Sequence, residues 1–512
     1  MTALPEQPVV YEVNTRVWLR EVQRATATGR TRRGGRGARG PRGARAGGLG
    51  DVPKDAWDEI TPHGVDAVWL MGVWERSPEG RRIALEDPAL RESFAQALPD
   101  VEPDDIAGSP YCVRGYTVDP ALGGTEGLAA ARTALDRRGV GLILDHVPNH
   151  VAPDSPWPQE PDCFVRGSAD DLRRDPAAYH EGPDGTVRAR GRDPFFPPWP
   201  DVVQLNAFSP ALRAATADVL AGIGGMCDGV RCDMAMLMMN DVFARTWGER
   251  AGPVPEEDFW PAVLSAVRRR RPGTLFMAEA YWDLEGALLQ QGFDLVYDKR
   301  LHDRLLHEDA GSVRAHLAAD PDHQRHLVRF LENHDEPRAA QTLSPAAERA
   351  AAVVIATLPG ATLWHEGQFT GRRTRPPVFL TRRPDETPDA ELRAFHERLL
   401  TAVATSGMRT GRWRLLEPAG WPDNPTHRDL LAWSWAGPAG RYLVAVNHSD
   451  HPSQARIPLP WPELAGSEAR LTDILEGGQY VRPGEEITGE TGPGLFVDLG
   501  GRGCHVFAVE PV

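Results

Sequence analysis

Four stretches of the chain end an apolar run on a carboxylate. GLIL leads into Asp145, with His146, Asn149 and His150 just beyond it. DGV leads into Arg231 and Asp233, LFMA into Glu279, and LVRFLEN into His334 and Asp335. One acid after a strand is ordinarily a loop cap. Four of them, three with an arginine or histidine close by, point to a shared purpose if the strand ends meet. The chemistry that uses such a set is glycoside hydrolysis, in which two carboxyl groups flank the scissile bond, one as proton donor and one ionised. Further negative charge stabilises the cationic sugar of the transition state. Arg231 lies two residues before Asp233 and so shares its face on a strand. By charge and hydrogen bonding it would keep Asp233 ionised. Glu279, after the apolar FMA, is the better candidate for a raised pKa and acid duty.

For these ends to meet, the runs must be neighbouring parallel strands. Eight candidates occur, with helical patterns between them: 9–19, 66–73, 140–147, 228–235, 274–282, 293–298, 326–335 and 361–367. Most are near-continuous apolar runs, as strands buried on both faces require. Ser209 and Pro210 read as the cap and first turn of one intervening helix. Repeated β–α units predict an α/β fold, and eight of them predict a closed (β/α)8 barrel over 1–407, whose site lies at the C-terminal strand ends. No GxGxxG follows the first strand, which weakens a dinucleotide-binding sheet. Residues 148–208, rich in Pro, Asp, Arg and Trp, read as a subdomain inserted after the third strand. Residues 408–512 read as an antiparallel β-domain. The Arg/Gly stretch 26–50 is expected to be a disordered loop.

Composition narrows the function classes. The 512 residues carry 57 basic and 72 acidic side chains, a net charge of −15, which disfavours a general nucleic-acid binder. The Arg/Gly stretch has no aromatic residue interleaved for base stacking. No apolar run is long enough for a membrane span. Five cysteines with no ligand-pair spacing, and an N-terminus without a secretory pattern, give a cytoplasmic expectation. No pattern sets an oligomeric state. Cys227 and Cys232 read as inert barrel thiols, and the methionine run 234–239 as core or pocket wall. His302, His307, His316, His323 and His326 read as surface residues. Glu366 is open between pocket wall and structure.

Taken in order, the motifs resemble those of glycoside hydrolase family 13, the α-amylase family. DHVPNH (145–150), GVRCD (229–233), Glu279 in FMAEAYW and ENHDEPR (332–338) resemble its four main motifs. GVDAVWL (64–70), DVVQLN (201–206) and LPGATLWHEGQ (358–368) resemble the minor ones. SPYCVRGYTVDPALGGTEGL (109–128) resembles the segment that supplies a sugar-stacking tyrosine. The resemblance implies a retaining mechanism on α-glucosidic bonds. Asp233 is then the nucleophile, Glu279 the acid/base and Asp335 the transition-state stabiliser. His150, Arg231 and His334 hold the reacting glucose, Tyr111 forms its floor, and Asp145 supports Arg231. Two departures matter. Met236 and Leu237 stand where endo-acting amylases have a Lys–His pair, and Arg338 follows the His–Asp pair as in exo-acting α-glucosidases. Both suggest an exo-acting enzyme on a short α-glucan or disaccharide, with an apolar acceptor side and Arg338 walling the far side of the subsite. A transglycosylase or disaccharide isomerase is the alternative. A catalytically silent binding protein is a third reading, opposed by the intact Asp233, Glu279 and Asp335. No cofactor is called for; Asn149 is the one position at which the resemblance leaves room for calcium.

Overall fold

The computed structural model describes residues 4–33, 47–489 and 492–512. Eight parallel strands close into a barrel: β1 (Val9–Asn14), β2 (Ala67–Met71), β3 (Gly141–His146), β4 (Gly229–Cys232), β5 (Leu275–Ala278), β6 (Leu295–Tyr297), β7 (Leu327–Arg329) and β8 (Ala361–His365). They neighbour one another in chain order, and β1 pairs with both β2 and β8. Alternate residues of each strand face opposite ways. Val10, Trp69, Met71, Ile143, Met277, Tyr297, Val328 and Leu363 fill the barrel interior. Val68, Leu70, Leu142, Leu144, Val230, Cys232 and Phe276 pack outward under the helices. The inward set, continued one step past each strand, ends in the polar residues of the rim.

The helix Pro210–Ile223 starts as expected, with Ser209 accepting a hydrogen bond from the Leu212 N–H and Pro210 in the first turn. The first expected strand is too long. It stops at Asn14, and the helix Thr15–Arg33 takes over, burying Val17, Trp18 and Leu19. That helix also corrects the reading of 26–50 as wholly disordered. Its last turns occupy Thr26–Arg33, propagated from the buried first turns that provide the nucleus. Leu49–Asp51 forms a 3-10 turn at the other end, and 34–46 lies outside the described residues.

Between β3 and the helix Pro210–Ile223 the chain makes two small antiparallel pairs, His150–Val151 with Val203–Gln204 and Tyr179–Glu181 with Val187–Ala189. After the helix Ala390–Ser406 comes a six-stranded antiparallel sheet with its own apolar core. Its strand Leu430–Gly437 sends the Trp433 and Trp435 indoles to one acceptor on the barrel, the Thr357 carbonyl, at 3.2 and 2.8 Å. His302 is not a surface residue: it is buried, stacked on Phe330, because the turn after β6 brings the helix Lys299–His307 under the rim. His316 is partly enclosed too, 2.9 Å from Asp298.

Candidate active site

Parallel register puts Arg231 opposite Asp145 on β3 and opposite Met277 on β5. Its guanidinium therefore points into the barrel mouth between two neighbouring strand ends. It has no exposed surface. One nitrogen, Nη1, lies 2.7 Å from Asp233 Oδ1 and 3.4 Å from Asp145 Oδ1. The other, Nη2, lies 2.7 Å from Glu279 Oε2. The tie to Asp233 was expected; the tie to Glu279 was not. Three carboxylates meet one cation, stacked over the rings of Trp69, Tyr111 and Tyr297. Asp145 is held from behind. Its Oδ2 accepts from Trp69 Nε1 at 3.1 Å and from the Gly72 N–H at 3.2 Å. Gly72 has φ +79°, and a Cβ there would lie 2.8 Å from Pro110, so only glycine allows that approach.

Glu279 accepts from the Met234 N–H at 2.7 Å on Oε2 and from the Tyr281 hydroxyl at 2.9 Å on Oε1. Met234 takes φ +41°, costly for a side-chain-bearing residue, and it follows Asp233 directly. The bend keeps its amide on Glu279. Burial drives the Glu279 carboxyl up to about 7, Arg231 opposing and the charges of Asp233 and Asp335 assisting. Burial also raises Asp233, against the pull of Arg231. Asp335 goes the other way. Enclosure on its pocket side disfavours its charge, but the adjacent His334 holds it down to about 2. His334 Nε2 is 3.0 Å from Asp335 Oδ2 and 2.7 Å from the Tyr111 hydroxyl, and Tyr111 stacks on the imidazole. Nδ1 meets Glu12 Oε1 at 2.5 Å. Although burial opposes it, the two flanking carboxylates lift the His334 pKa well above its usual range.

Asp145, His150, Arg231, Asp233, Glu279, His334, Asp335 and Tyr111 thus gather at one mouth. His150 is buried there, with its ring 5.1 Å from that of Trp199. Two other expectations need correction. Arg338 does not wall the subsite. It is fully buried, with Nη1 2.6 Å from Glu332, 2.9 Å from His365 Nδ1 and 2.9 Å from the Glu366 carbonyl. It forms an ion pair beneath the rim, because the turn after Asp335 folds the chain back on Glu332. Met236 has no exposed surface and Leu237 is 3% exposed, so they belong to the core under the 3-10 turn Ala235–Met238 and do not supply an acceptor wall. Glu366 resolves to structure, 2.7 Å from Arg383.

Sequence reasoning missed Glu12, Trp69 and Tyr297. Each sits on an inward position of its strand, but strands buried on both faces give the period of two no phase in the sequence. Asn149 does not fit a calcium ligand. Its Oδ1 and its carbonyl both accept from Gln204 Nε2 at 2.8 Å, and the Leu205 carbonyl takes the same nitrogen at 3.0 Å. Both Asn149 oxygens are thus already engaged by a neutral amide donor. Among the described residues, no group of three or more His, Cys, Asp or Glu is placed to hold a metal ion. Burial raises the thiols of Cys227 and Cys232, which keeps them protonated and unreactive.

No protein-family model matches the chain. It is 24% identical over 439 residues to α-amylase MalA of Haloarcula japonica, covering 83% of this chain and 55% of that one. It is 26% identical over 183 residues to the α-1,4-glucan:maltose-1-phosphate maltosyltransferase of Pseudomonas aeruginosa, covering 34% of this chain and 23% of that one. The chain thus spans about half of the first relative and about a quarter of the second. The crystal structure of the maltogenic α-amylase AmyB from Thermotoga neapolitana superposes along 100% of both chains with TM-score 0.66 at 17% identity, a likeness of fold. With the motifs in order on this barrel and the α-amylase relative aligned along most of the chain, the chain is similar to the α-amylase family, glycoside hydrolase family 13, and shares its fold.

Proposed function

We propose that the protein is a cytoplasmic retaining glycosidase that cleaves α-glucosidic linkages of short saccharides by double displacement. The observation that carries this reading is the single buried guanidinium of Arg231 joined to both Asp233 and Glu279. Oxygens held on adjacent nitrogens of one guanidinium are near neighbours. That favours the closer of the two glycosidase spacings, in which a carboxylate reaches the sugar directly. Asp233 attacks the anomeric carbon while Glu279 gives its proton to the departing oxygen, leaving a glycosyl ester on Asp233. Glu279, now ionised, takes a proton from water, whose oxygen displaces Asp233 and restores both groups. Asp335, kept anionic by His334, faces the positive charge that develops on the ring. The substrate class rests on the relatives, whose names specify α-amylase and maltosyl transfer.

Enclosure supports action at a chain end. Asp233 is 6% and Glu279 2% exposed, whereas an open groove for polymer would leave such a pair accessible from both sides. The match to a maltosyltransferase favours, as second reading, transfer of the same glycosyl ester to a sugar. The test is trapping with 5-fluoro-α-glucosyl fluoride and peptide mass mapping. A glycosyl increment on the peptide carrying Asp233, absent in Asp233→Asn, is expected. Turnover with inversion and no adduct would overturn the mechanism. Products from maltoheptaose decide chain-end against internal cleavage.

A further inference from the structure

At the end of the barrel away from the carboxylates, a cleft of about 750 Å³ opens against the C-terminal sheet. That lies within the roughly 300–1,000 Å³ of small-molecule sites. Gln7 just precedes β1, Arg325 precedes β7 and Pro359 precedes β8, so one wall is formed at the N-terminal ends of the strands. The facing wall includes the outermost strand of the sheet, Arg412–Leu416, which pairs with Leu430–Gly437. None of the acids of the candidate active site lines the cleft.

Its charge points to an anion. Arg325, Arg412 and Arg414 line it, and among the described residues no carboxylate does, in a chain of net charge −15. Arg325 meets Glu6 at 3.1 Å in a solvent-exposed pair, which is worth little. Arg412 and Arg414 share the exposed face of their strand and have no ion-pair partner among the described residues. The hydrogen-bonding groups point the same way. Guanidinium and indole groups only donate. The Trp413 indole N–H, buried in the floor, has no acceptor among the described residues. Gln7 Oε1 already accepts from the Gly360 N–H at 2.7 Å, which leaves Nε2 to donate. The cleft thus offers donors and calls for a ligand rich in acceptors. The floor adds a second requirement. Trp413, Trp435 and Trp461 are each at most 8% exposed, and the Trp435 indole is tied to the Thr357 carbonyl, so the floor is apolar and fixed.

We propose that this cleft binds a phosphate ester of a ring compound, a sugar phosphate or a nucleotide. The phosphate lies against Arg412 and Arg414, and the ring covers the tryptophan floor. Inorganic phosphate would match the arginines and leave the floor uncovered. A neutral sugar would cover the floor and leave the guanidiniums unmatched. A ligand held here touches both the barrel and the sheet, and binding only the folded state it raises stability by mass action.

Calorimetric titration and melting curves of the full chain test this, with glucose 6-phosphate, ADP and inorganic phosphate as probes. Saturable binding of glucose 6-phosphate or ADP is expected, with a melting temperature that climbs with ligand concentration. The tighter of the two esters identifies the source of the ligand. In the double variant Arg412→Gln, Arg414→Gln that binding should weaken about tenfold or more, the scale of one lost charge-assisted contact. The variant's kcat/KM on maltotetraose should stay at the wild-type value, since neither arginine belongs to the candidate active site. Ester binding that survives the double substitution at full strength lies elsewhere and overturns the proposal. Absence of binding by both esters overturns it too, and so does inorganic phosphate binding as tightly as they do.

Discussion

At the scale of single residues, the site works by dividing its acids. Burial lifts the Glu279 carboxyl to about 7, and His334 holds Asp335 ionised. In the proposed mechanism Glu279 acts in its protonated form, so kcat/KM should fall as pH rises through about 7, the value to which burial lifts it. Glu279→Gln should lose about a hundredfold to ten-thousandfold in kcat on unactivated saccharides and, lacking the titrating group, should lose this limb as well. A profile flat well above pH 7 in the wild type would remove Glu279 from the acid role. Glu12 acts at one remove, as a positioning residue. Its carboxylate helps hold the His334 proton, and His334 holds the Asp335 charge. Glu12→Gln should let His334 lose its proton at lower pH. A new alkaline limb and a drop in kcat/KM of about tenfold or more are then expected. Unaltered profile shape with lower melting temperature would reduce Glu12 to a packing role.

At the scale of elements, hydrogen bonds fasten the insertion after β3. His150–Val151 pairs with Val203–Gln204, and one Gln204 amide nitrogen reaches three oxygens across that joint. Thermal stability and activity should therefore be indifferent to a chelator such as EDTA. Gln204→Ala, which strands buried acceptors, should cost about 1–3 kcal/mol. A melting temperature that drops on chelation and recovers with calcium would show that a cation belongs there after all. The same joint places His150 beneath Trp199, so loosening it should also raise KM.

At the scale of the whole molecule, the barrel and the C-terminal sheet share the helix Pro345–Thr357, which is buried from Ala350 to Thr357. Both Trp433 and Trp435 end on its last carbonyl. Glu348, on the same helix, is buried, and that burial, reinforced by the charges of Glu332 and Asp389, lifts its carboxyl to about 8 from the ordinary 4.5. A raised folded pKa means that the neutral form is the one the fold accepts. Its contribution is complete below the unfolded value near 4.5 and is lost as pH rises through about 8. Glu348→Gln should therefore leave stability nearly unchanged at pH 5 and raise it by on the order of 2 kcal/mol at pH 9. Equal effects at both pH values in denaturant titrations would show that Glu348 does not titrate within the fold.

Much of this was legible in one dimension because the barrel repeats a simple rule. An apolar run that ends on an acid is a strand delivering that acid to the rim, and residues two apart share a face, so Arg231 and Asp233 could be paired from spacing alone. The rule runs out where both faces of a strand are buried, since apolar character then no longer tells inward from outward. Glu12 and Tyr297 could not be assigned for that reason. Glu12 meets His334 only because barrel closure brings the end of β1 and the segment after β7 to one mouth, across 322 residues of chain. Motif position misled for Arg338, Met236 and Leu237. Short turns after the strand ends rotate these residues away from the mouth, and a turn's direction depends on what packs beneath it, here Glu332 and the core under Ala235–Met238. The Phe195–Trp282 contact joins segments 87 residues apart, an adjacency set by how the insertion folds over the rim.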